Sequence, residues 1–374
     1  MKSFLCAIAA VLCVQVLTAG ESVIAVRGVW LTNVDSNVLN SKKNIEEAVA
    51  LCSETGMNVI FVVTWNKGMT TYPSAIMKRM TGVEIDTQFT GRDPLRELID
   101  AAHAKNIKVI GWFEFGFAGS YQENGGKLIH MKPEWASRDA EENLVSKSGF
   151  EWMNGFNPEV QEFMLSLIME VVQRYPIDGI QGDDRLPAMP SESGYDSYTV
   201  GRYRAGHRGQ EPPADCRDTA WVQWRADILN AFMKRLYGTV KSYNKNLLVA
   251  MAPSIYPWSK EEYLQDWPAW IKGGYVDIVI PQVYRYELDR YCKEQNVILT
   301  QQIDRNNRYR YYPGILLKVG SYYPSEEFLK QMIEENRRCG IHGEVFFFYE
   351  GLKRYPAFFK TLYKEQAVFP SLVQ

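Results

Sequence analysis

Residues 177–185 read Ile-Asp-Gly-Ile-Gln-Gly-Asp-Asp-Arg, a short apolar run that ends in two adjacent acidic residues. Such a run is too short for an ordinary helix and is typical of a strand buried in a parallel sheet. Because side chains alternate between the faces of a strand, Gln181 and Asp183 are expected on one face and Asp184 on the other. Neighbouring carboxylates repel each other, and Arg185 is a candidate partner. The alternative is a capping Asp beside a surface Asp.

Similar runs recur along the chain and are separated by longer amphipathic stretches. The other seven runs are residues 25–31, 58–64, 107–113, 247–252, 276–283, 312–317 and 344–349. Helical stretches are predicted at 44–54, 93–105 and 218–243, and from Asn157-Pro158 and Ser325 onward. Eight strand-then-helix units predict an α/β protein, a single (β/α)8 TIM barrel. The long segments 66–92, 114–157 and 185–217 are expected to elaborate the face at the strand ends. A doubly wound sheet usually has a Gly-rich first turn, which Gly28-Val29-Trp30 does not provide.

The composition excludes several classes of protein. The chain has 374 residues, of which 46% are hydrophobic and 23% charged, as in a folded protein. Its net charge of −2 and the lack of a basic run argue against a nucleic-acid partner. With only 4 His, which lie far apart, a metal site built from imidazoles is not expected. No cofactor is predicted.

The N-terminus resembles a secretory signal peptide. Lys2 precedes an apolar run over residues 4–17, and Thr18-Ala19-Gly20 offers a small-residue cleavage pattern. We therefore expect a signal peptide at 1–20, one domain at 21–374, and a secreted or periplasmic location without a later transmembrane segment. A retained anchor is the alternative. The four cysteines beyond residue 20 form no CxxC pair and are expected to be thiols that bind no metal.

Functional residues of a barrel lie at the carboxyl ends of its strands. Glu114 follows the third run inside an aromatic segment, where burial would raise its pKa and suit a general acid. An ion pair with Arg27 is the other interpretation. Glu350 follows the eighth run, although it is equally compatible with a solvent-exposed loop. Polar groups that suit sugar hydroxyls are Asn33, Asn157, Gln181, Gln282 and Tyr284.

Aromatic residues also concentrate at the predicted strand ends. They are Trp30, Trp65, Trp112, Trp258, Tyr284 and Tyr349. Each ring alone could equally pack in the core, but flat rings beside carboxylates and amides suit stacking on sugars. Together they favour glycoside hydrolysis, which typically uses two Asp or Glu residues. No GxSxG nucleophile elbow competes with this interpretation.

Several segments in order resemble the glycosyl-hydrolase-like family 10 barrels of bacteria, in a subgroup of exported proteins. They are Arg27–Asn33, Trp112–Phe117, Trp152–Gln161, Asp178–Asp184, Pro281–Tyr284 and Phe347–Glu350. The resemblance spans roughly residues 25–365. It implies a (β/α)8 fold and a glycosidase that acts on a polysaccharide or a peptidoglycan-type cell-wall glycan.

The resemblance also implies roles for the acidic residues. The Asp178-Gly-x-x-x-Asp183 pattern is similar to the nucleophile strand of several retaining α-glycosidase families, which makes Asp183 the nucleophile and Asp178 structural. Those families take their acid from the fifth or sixth strand, where this chain has no carboxylate. Glu114 is therefore the first candidate for the acid, followed by Asp184 and Glu350. The alternative function is a barrel that binds glycan at the cell surface without cleaving it.

Overall fold

A curled sheet of parallel strands forms the centre of the molecule. The computed structural model describes residues 23–372. Within them the sheet has eight strands: β1 Val26–Leu31, β2 Val59–Val63, β3 Lys108–Phe113, β4 Gly179–Gly182, β5 Leu248–Met251, β6 Ile278–Val279, β7 Gly314–Leu316 and β8 Gly343–Phe347. Each of the eight predicted runs overlaps one strand, so the α/β class and the parallel sheet are confirmed.

The strands are arranged so that sequence neighbours lie side by side. The order across the sheet is β6-β5-β4-β3-β2-β1-β8-β7. Two isolated parallel bridges, Val279–Tyr311 and Gln282–Gly314, join the chain around β6 to the chain around β7. The carboxyl ends of all eight strands therefore point toward one end of the curled sheet, which we call the mouth.

Helices follow most of the strands. They are α1 Lys42–Glu54, α2 Ala75–Thr81, α3 Pro94–His103, α4 Gly126–Met131, α5 Pro158–Arg174, α6 Ser197–Gly206, α7 Thr219–Tyr243, α8 Trp258–Tyr263, α9 Trp267–Gly273, α10 Leu288–Val297, α11 Glu326–Arg338, α12 Tyr349–Leu352 and α13 Pro356–Leu362. Four predicted helix starts are confirmed, because Asp93, Asn157, Asp218 and Ser325 each accept a backbone N–H of the first turn. The helix predicted at 44–54 begins two residues earlier, at Lys42.

The predicted long loops carry short strands of their own. Trp65–Asn66 pairs with Met69–Thr70 in a hairpin after β2, and a three-stranded antiparallel sheet follows β3. This second sheet consists of Ala118–Tyr121, Ser146–Lys147 and Phe150–Trp152. At the opposite end from the mouth, Val23–Ile24 pairs in parallel with Ala367–Val368.

The export prediction concerns residues 1–20, which lie outside the described residues. Among residues 23–372, no helix has the length and apolarity needed to cross a membrane. Cys52, Cys216, Cys292 and Cys339 are free thiols.

A buried ion cluster holds the end of the sheet opposite the mouth. Glu344 at the start of β8 is fully buried, and its two oxygens lie 2.8 Å and 2.9 Å from the guanidinium of Arg337. Asn336 donates to the same carboxylate at 3.0 Å, and the Tyr363 hydroxyl donates as well. The cluster thus joins β8 to α11 and to the chain that follows α13, with every carboxylate oxygen paired.

The substitution Glu344→Ala should lower the free energy of unfolding by about 3 kcal/mol, because it leaves the half-buried guanidinium of Arg337 and the buried Asn336 and Tyr363 without their acceptor. Urea unfolding monitored by tryptophan fluorescence measures this loss. The matched control is Glu334→Ala on α11, the helix that carries Arg337, where an exposed pair with Lys330 at 3.8 Å contributes less than about 1 kcal/mol. Equal losses in the two variants would contradict the assigned role of the cluster.

Candidate active site

Trp30, Trp112, Gln181 and Phe347 form a buried layer just below the mouth. Gln181 on β4 is in register with Trp112 on β3. The Trp30 indole N–H donates to Oε1 of Gln181 at 2.7 Å, and the Trp30 ring contacts those of Trp112 and Phe347. Because side chains alternate along a strand, the residues two positions further on, Glu114 and Asp183, face inward above this layer.

Asp183 is almost completely buried at the mouth, with both carboxylate oxygens engaged. Oδ1 accepts from the Gln282 amide at 2.9 Å and from the backbone N–H of Asp184 at 2.8 Å. Oδ2 accepts from Arg185 at 3.3 Å. Gln265 donates to the Asp183 carbonyl at 2.9 Å, which fixes the backbone. The side chain is therefore held in one orientation.

Glu114 is held mainly through one of its two oxygens. Its Oε2 accepts from the Asn66 amide at 2.6 Å and from the Thr32 hydroxyl at 3.3 Å. Its Oε1 lies 3.8 Å from Nη2 of Arg185, beyond hydrogen-bond distance. The basic partner of Glu114 is thus Arg185 and not Arg27, which instead donates to the Glu365 carbonyl and packs on the Tyr363 ring.

Arg185 connects the three acidic residues of the mouth. Its guanidinium nitrogens lie 3.8 Å from Glu114, 3.3 Å from Asp183 and 2.9 Å from Asp184, the last as an ion pair without hydrogen-bond geometry. The guanidinium also lies 4.5 Å from the centre of the Phe150 ring, a cation–π distance. A single positive charge therefore faces three carboxylates in a largely dry environment.

Glycine allows the loop after β3 to reach this cluster. Gly116 has φ +50, and a Cβ added there would lie 2.0 Å from the carbonyl oxygen of Arg185. The neighbouring Phe117 N–H donates to that same carbonyl at 3.0 Å. The segments that follow β3 and β4 are thus locked together where Glu114 and Arg185 emerge.

Burial controls the protonation of the cluster. It raises the pKa of Glu114, against the opposing effects of Arg185 and of the hydrogen bonds from Asn66 and Thr32. Burial and the charge of Asp184 raise the pKa of Asp183 well above its ordinary value. Burial alone would lower the pKa of Arg185, but the three carboxylates outweigh it and raise that pKa. The mouth thus holds carboxyl groups that bind protons more tightly than free ones.

Polar atoms without a partner surround the cluster. Three buried side-chain atoms have no hydrogen-bond partner among residues 23–372: Oδ1 of Asn66, Nε1 of Trp112 and Nε2 of Gln181. An unpaired buried polar atom costs free energy, so such atoms are expected to meet a ligand or water. They comprise two donors and one acceptor, a set that matches hydroxyl groups.

Gln282 and Tyr284 lie where the sequence predicts them. Gln282 positions Asp183, as described, and also donates to the Ala252 carbonyl at 3.2 Å. Burial, with the charges of Asp183 and Asp184, holds the pKa of Tyr284 well above its ordinary value. The Tyr284 ring lies 5.6 Å from that of Phe347. Both residues therefore border the carboxylate cluster.

Four residues that the sequence predicts to contact a ligand lie in positions that do not allow the predicted contact. Asn157 uses its side-chain oxygen to cap α5 through the Glu159 N–H at 2.9 Å, so that oxygen is already committed to the helix. Trp65 is buried against Phe163 of α5 and donates to the Gly116 carbonyl. Trp30 and Tyr349 are also buried and present no ring face to solvent.

The remaining predicted residues have mixed positions. Trp112 and Gln181 form the buried layer and contribute only the unpaired N–H groups described above. Trp258 is 45% exposed at the start of α8. Glu350 accepts from the Ser36 hydroxyl at 2.8 Å and from Lys353 at 2.7 Å, so it lies in a separate polar pocket, which Asn33 also lines. Asp178 is paired with Lys108 and His103 at the start of β4, in agreement with a structural role.

Several site residues escape sequence reasoning. Thr32 and Asn66 position Glu114, Gln265 holds the backbone of Asp183, and Phe150 covers Arg185. Each is an isolated residue whose partner lies far along the chain. Only Thr32 and Asn66, which lie close after the ends of β1 and β2, carry a signal in the sequence. In the described part of the chain, no group of three His, Cys, Asp or Glu side chains is arranged to hold a metal ion.

The fold is shared with glycoside hydrolases of TIM-barrel-like architecture. The glycoside hydrolase domain of PgaB (BpsB) from Bordetella bronchiseptica superposes with a TM-score of 0.68 at 12% identity, covering 93% of this chain and 100% of that one. Alpha-L-fucosidase isoenzyme 2 from Paenibacillus thiaminolyticus gives 0.63 at 17% identity, covering 91% and 50%. These similarities establish the fold.

Sequence comparison establishes the family. The glycosyl hydrolase-like 10 family model matches residues 25–319, and the chain belongs to that family. It is 24% identical over 348 residues to glycosyl hydrolase DigH of Escherichia coli K12, covering 81% of this chain and 76% of that protein. It is 22% identical to glycosyl hydrolase YngK of Bacillus subtilis, covering 73% and 57%. The resemblance noted in the sequence is therefore confirmed.

The raised pKa of Asp183 predicts a pH-dependent stability cost. An acid whose pKa rises on folding destabilises the fold where it would otherwise ionise, so stability falls as the pH rises through the raised pKa. The variant Asp183→Asn should therefore have a higher melting temperature than wild type at about pH 8, and the gain should shrink toward about pH 4. Calorimetry across this range measures the difference. The exposed Asp100→Asn is the control, and a gain independent of pH would contradict the assignment.

Proposed function

We propose that the chain is an exported glycoside hydrolase that cleaves O-glycosidic bonds of a polysaccharide or cell-wall glycan. The observation that carries this proposal is that Arg185 holds Asp183 and Glu114 together at the mouth. Membership of the glycosyl hydrolase-like 10 family supports a glycan substrate. We also infer that the sheet closes as a (β/α)8 barrel forming one domain, which the two bridges between β6 and β7 support.

The electrostatics suit a pair of carboxyls that share a proton. Three carboxylates face one guanidinium and leave excess negative charge, and burial raises the pKa of both Asp183 and Glu114. A proton is therefore retained at a pH where isolated Asp and Glu side chains are ionised. Glycoside hydrolysis needs this combination, because one group must donate a proton while the other acts as a carboxylate.

The hydrogen bonds distribute the two roles. Burial raises the pKa of Asp183 well above its ordinary value. Donors nevertheless engage both of its oxygens and favour its charged form when the pair shares one proton, so we assign Asp183 as the carboxylate that attacks the anomeric carbon or positions water. Glu114 has donors only on Oε2, which leaves Oε1 to carry the proton that passes to the leaving oxygen. Asp184 follows as the second candidate acid, and Glu350, in its separate pocket, as the third.

The spacing of the two groups favours retention of anomeric configuration. Nη2 of Arg185 lies 3.3 Å from Oδ2 of Asp183 and 3.8 Å from Oε1 of Glu114. Those oxygens are therefore at most about 7 Å apart, and closer unless the three atoms are collinear. Carboxyl groups are about 5–5.5 Å apart in retaining enzymes and about 6.5–9.5 Å apart in inverting ones. The upper limit excludes most of the inverting range and includes all of the retaining range, and we infer from it a retaining mechanism with a covalent intermediate on Asp183.

The variants Asp183→Asn and Glu114→Gln should each lower kcat by about 10²- to 10⁴-fold, because each removes one of the paired acid and nucleophile functions. New reducing ends released from a panel of polysaccharides and purified peptidoglycan, measured by mass spectrometry, report the activity. Glu350→Gln should retain most activity, and the exposed Glu334→Gln all of it. Full activity in both Asp183→Asn and Glu114→Gln would refute the assignment.

Azide rescue separates the nucleophile from the acid. Azide should restore turnover of Asp183→Ala and give a glycosyl azide of inverted configuration, because the anion then attacks in place of the missing carboxylate. In Glu114→Ala it should give a product of retained configuration. Glycan binding by the wild type without any product would instead support the non-catalytic alternative, a glycan-binding barrel at the cell surface.

Export is a separate part of the proposal and rests on the sequence pattern of residues 1–20. N-terminal sequencing of the mature protein, recovered from a secreting host, should place the new N-terminus near residue 21. An intact Met1 on a protein retained with the cells would contradict cleavage.

A further inference from the structure

We propose that Tyr286 and Tyr322 form a second sugar-binding subsite, which receives an uncharged sugar residue of the same glycan chain that is cleaved at Asp183 and Glu114. This inference rests on the proposed function and extends it to the length of the substrate. The subsite lies at the mouth, where the chain leaves β6 and β7.

The segment after β6 leads outward from the catalytic cluster. Gln282 contacts Asp183, Tyr284 packs over Phe347, and Tyr286 is 61% exposed. Tyr286 lies four positions after Gln282, so their Cα atoms are at most about 14 Å apart. An oligosaccharide bound at Asp183 can span that distance.

A rigid turn positions the second ring. Val319 and Tyr322 exchange backbone hydrogen bonds of 3.3 Å and 2.9 Å, and Gly320 between them adopts φ +52. The Tyr286 and Tyr322 rings then lie 4.7 Å apart, almost perpendicular at 82°. Tyr322 thus holds the exposed ring in place, which lowers the entropic cost of stacking a ligand on it.

A polar pocket of about 510 Å³ adjoins the pair. Tyr323, next to Tyr322, lines it together with Asn33, Lys318, Glu350 and Lys353. Oδ1 of Asn33 is buried and has no hydrogen-bond partner in the described part of the chain. The pocket is lined by residues on both sides of the turn that carries Tyr322, and the exposed ring of Tyr286 packs against Tyr322. An exposed ring near convergent polar groups has the chemistry of a carbohydrate subsite, in which ring faces stack and hydroxyls bind amides.

The charges of this pocket indicate an uncharged occupant. Lys318 is paired with Asp35, and Lys353 with Glu350 at 2.7 Å. Each cation is therefore already compensated, and a carboxylate or sulfate on the ligand would have to break one of these pairs. A neutral sugar, which needs only hydrogen bonds and a ring face, fits without this cost.

Occupation of both sites requires a chain of several sugar units. Binding at Tyr286 would place sugar residues on one side of the scissile bond well beyond the carboxylates. The protein should therefore cleave long chains more efficiently than short ones. A cleft that extends past the reacting bond also favours cutting within a chain over release of single terminal sugars.

The test compares Tyr286→Ala with wild type on long chains and on the shortest oligosaccharide that is cleaved. KM for the long chain should rise about tenfold, which corresponds to about 1.4 kcal/mol. The values of kcat and KM on the short substrate should stay within twofold of wild type. Tyr286→Trp should restore KM, because it keeps a flat ring. The control Tyr243→Ala removes a tyrosine that is 52% exposed where α7 ends before β5, opposite the mouth.

The outcomes distinguish this inference from the proposed function. An unchanged KM for the long chain, or an equal rise for both substrates, would overturn the subsite while leaving the hydrolase intact. If the wild type cleaves no glycan, the hydrolase fails, and calorimetric titration with the long oligosaccharide then tests the subsite alone. In that case, equal affinities of wild type and Tyr286→Ala would overturn it. Equal melting temperatures exclude misfolding as the cause of a loss.

Discussion

The guanidinium of Arg185 is the interaction on which the mouth depends. It stands between carboxylates that enter from β3 and β4, and removing it would leave three acidic groups without a nearby cation. The surrounding structure maintains this contact. Phe150 covers the guanidinium from the second sheet, and Gly116 lets the loop after β3 pass against the carbonyl of Arg185. Two long loops are therefore folded around a single charge.

The two ends of the sheet treat buried charge in opposite ways. Glu344 faces one arginine, one amide and one hydroxyl, so its charge is fully compensated. At the mouth, a single arginine serves three carboxylates, and burial, together with the charge of Asp184, raises the pKa values of Asp183 and Glu114. The negative charge of Glu344 is therefore compensated at the end of the sheet where it stabilises the fold. At the mouth, where proton transfer is proposed, the negative charges exceed the positive charge. This division agrees with the general tendency of active sites to cost stability.

Local signals in the sequence were sufficient to predict the strands and the helix starts. Apolar runs of fixed length and Asp, Asn or Ser caps are properties of consecutive residues, and the structure follows them closely. The same locality explains the errors. Asn157 before a proline has the pattern of a cap, so its oxygen belongs to α5 and not to a ligand. Trp65 is one residue past Thr64 and faces α5, where Phe163 covers it.

Long-range pairings could not be predicted in this way. Arg27 lies at the start of β1, opposite the mouth, whereas Arg185 follows the carboxyl end of β4. The identity of the basic residue that pairs with Glu114 becomes clear only when the strands are placed side by side in one parallel sheet. Thr32 and Asn66 contact Glu114 from 82 and 48 positions away in the sequence, and no periodicity marks such contacts. The carboxylates themselves were found because an acidic residue at a strand end contradicts its apolar surroundings. Their hydrogen-bond donors, which are neutral, carry no such signal.

The layer of Trp30, Trp112 and Phe347 limits the route by which a ligand can enter and leave the site. These rings, with the Trp30–Gln181 hydrogen bond, fill the interior just beneath the carboxylates. A ligand chain therefore cannot pass through the sheet at this layer. If the proposed hydrolysis takes place, both fragments of the glycan would leave through the opening by which it arrived. Turnover on a long polymer would then depend on sideways dissociation, and the fragment bound by more aromatic rings would leave last.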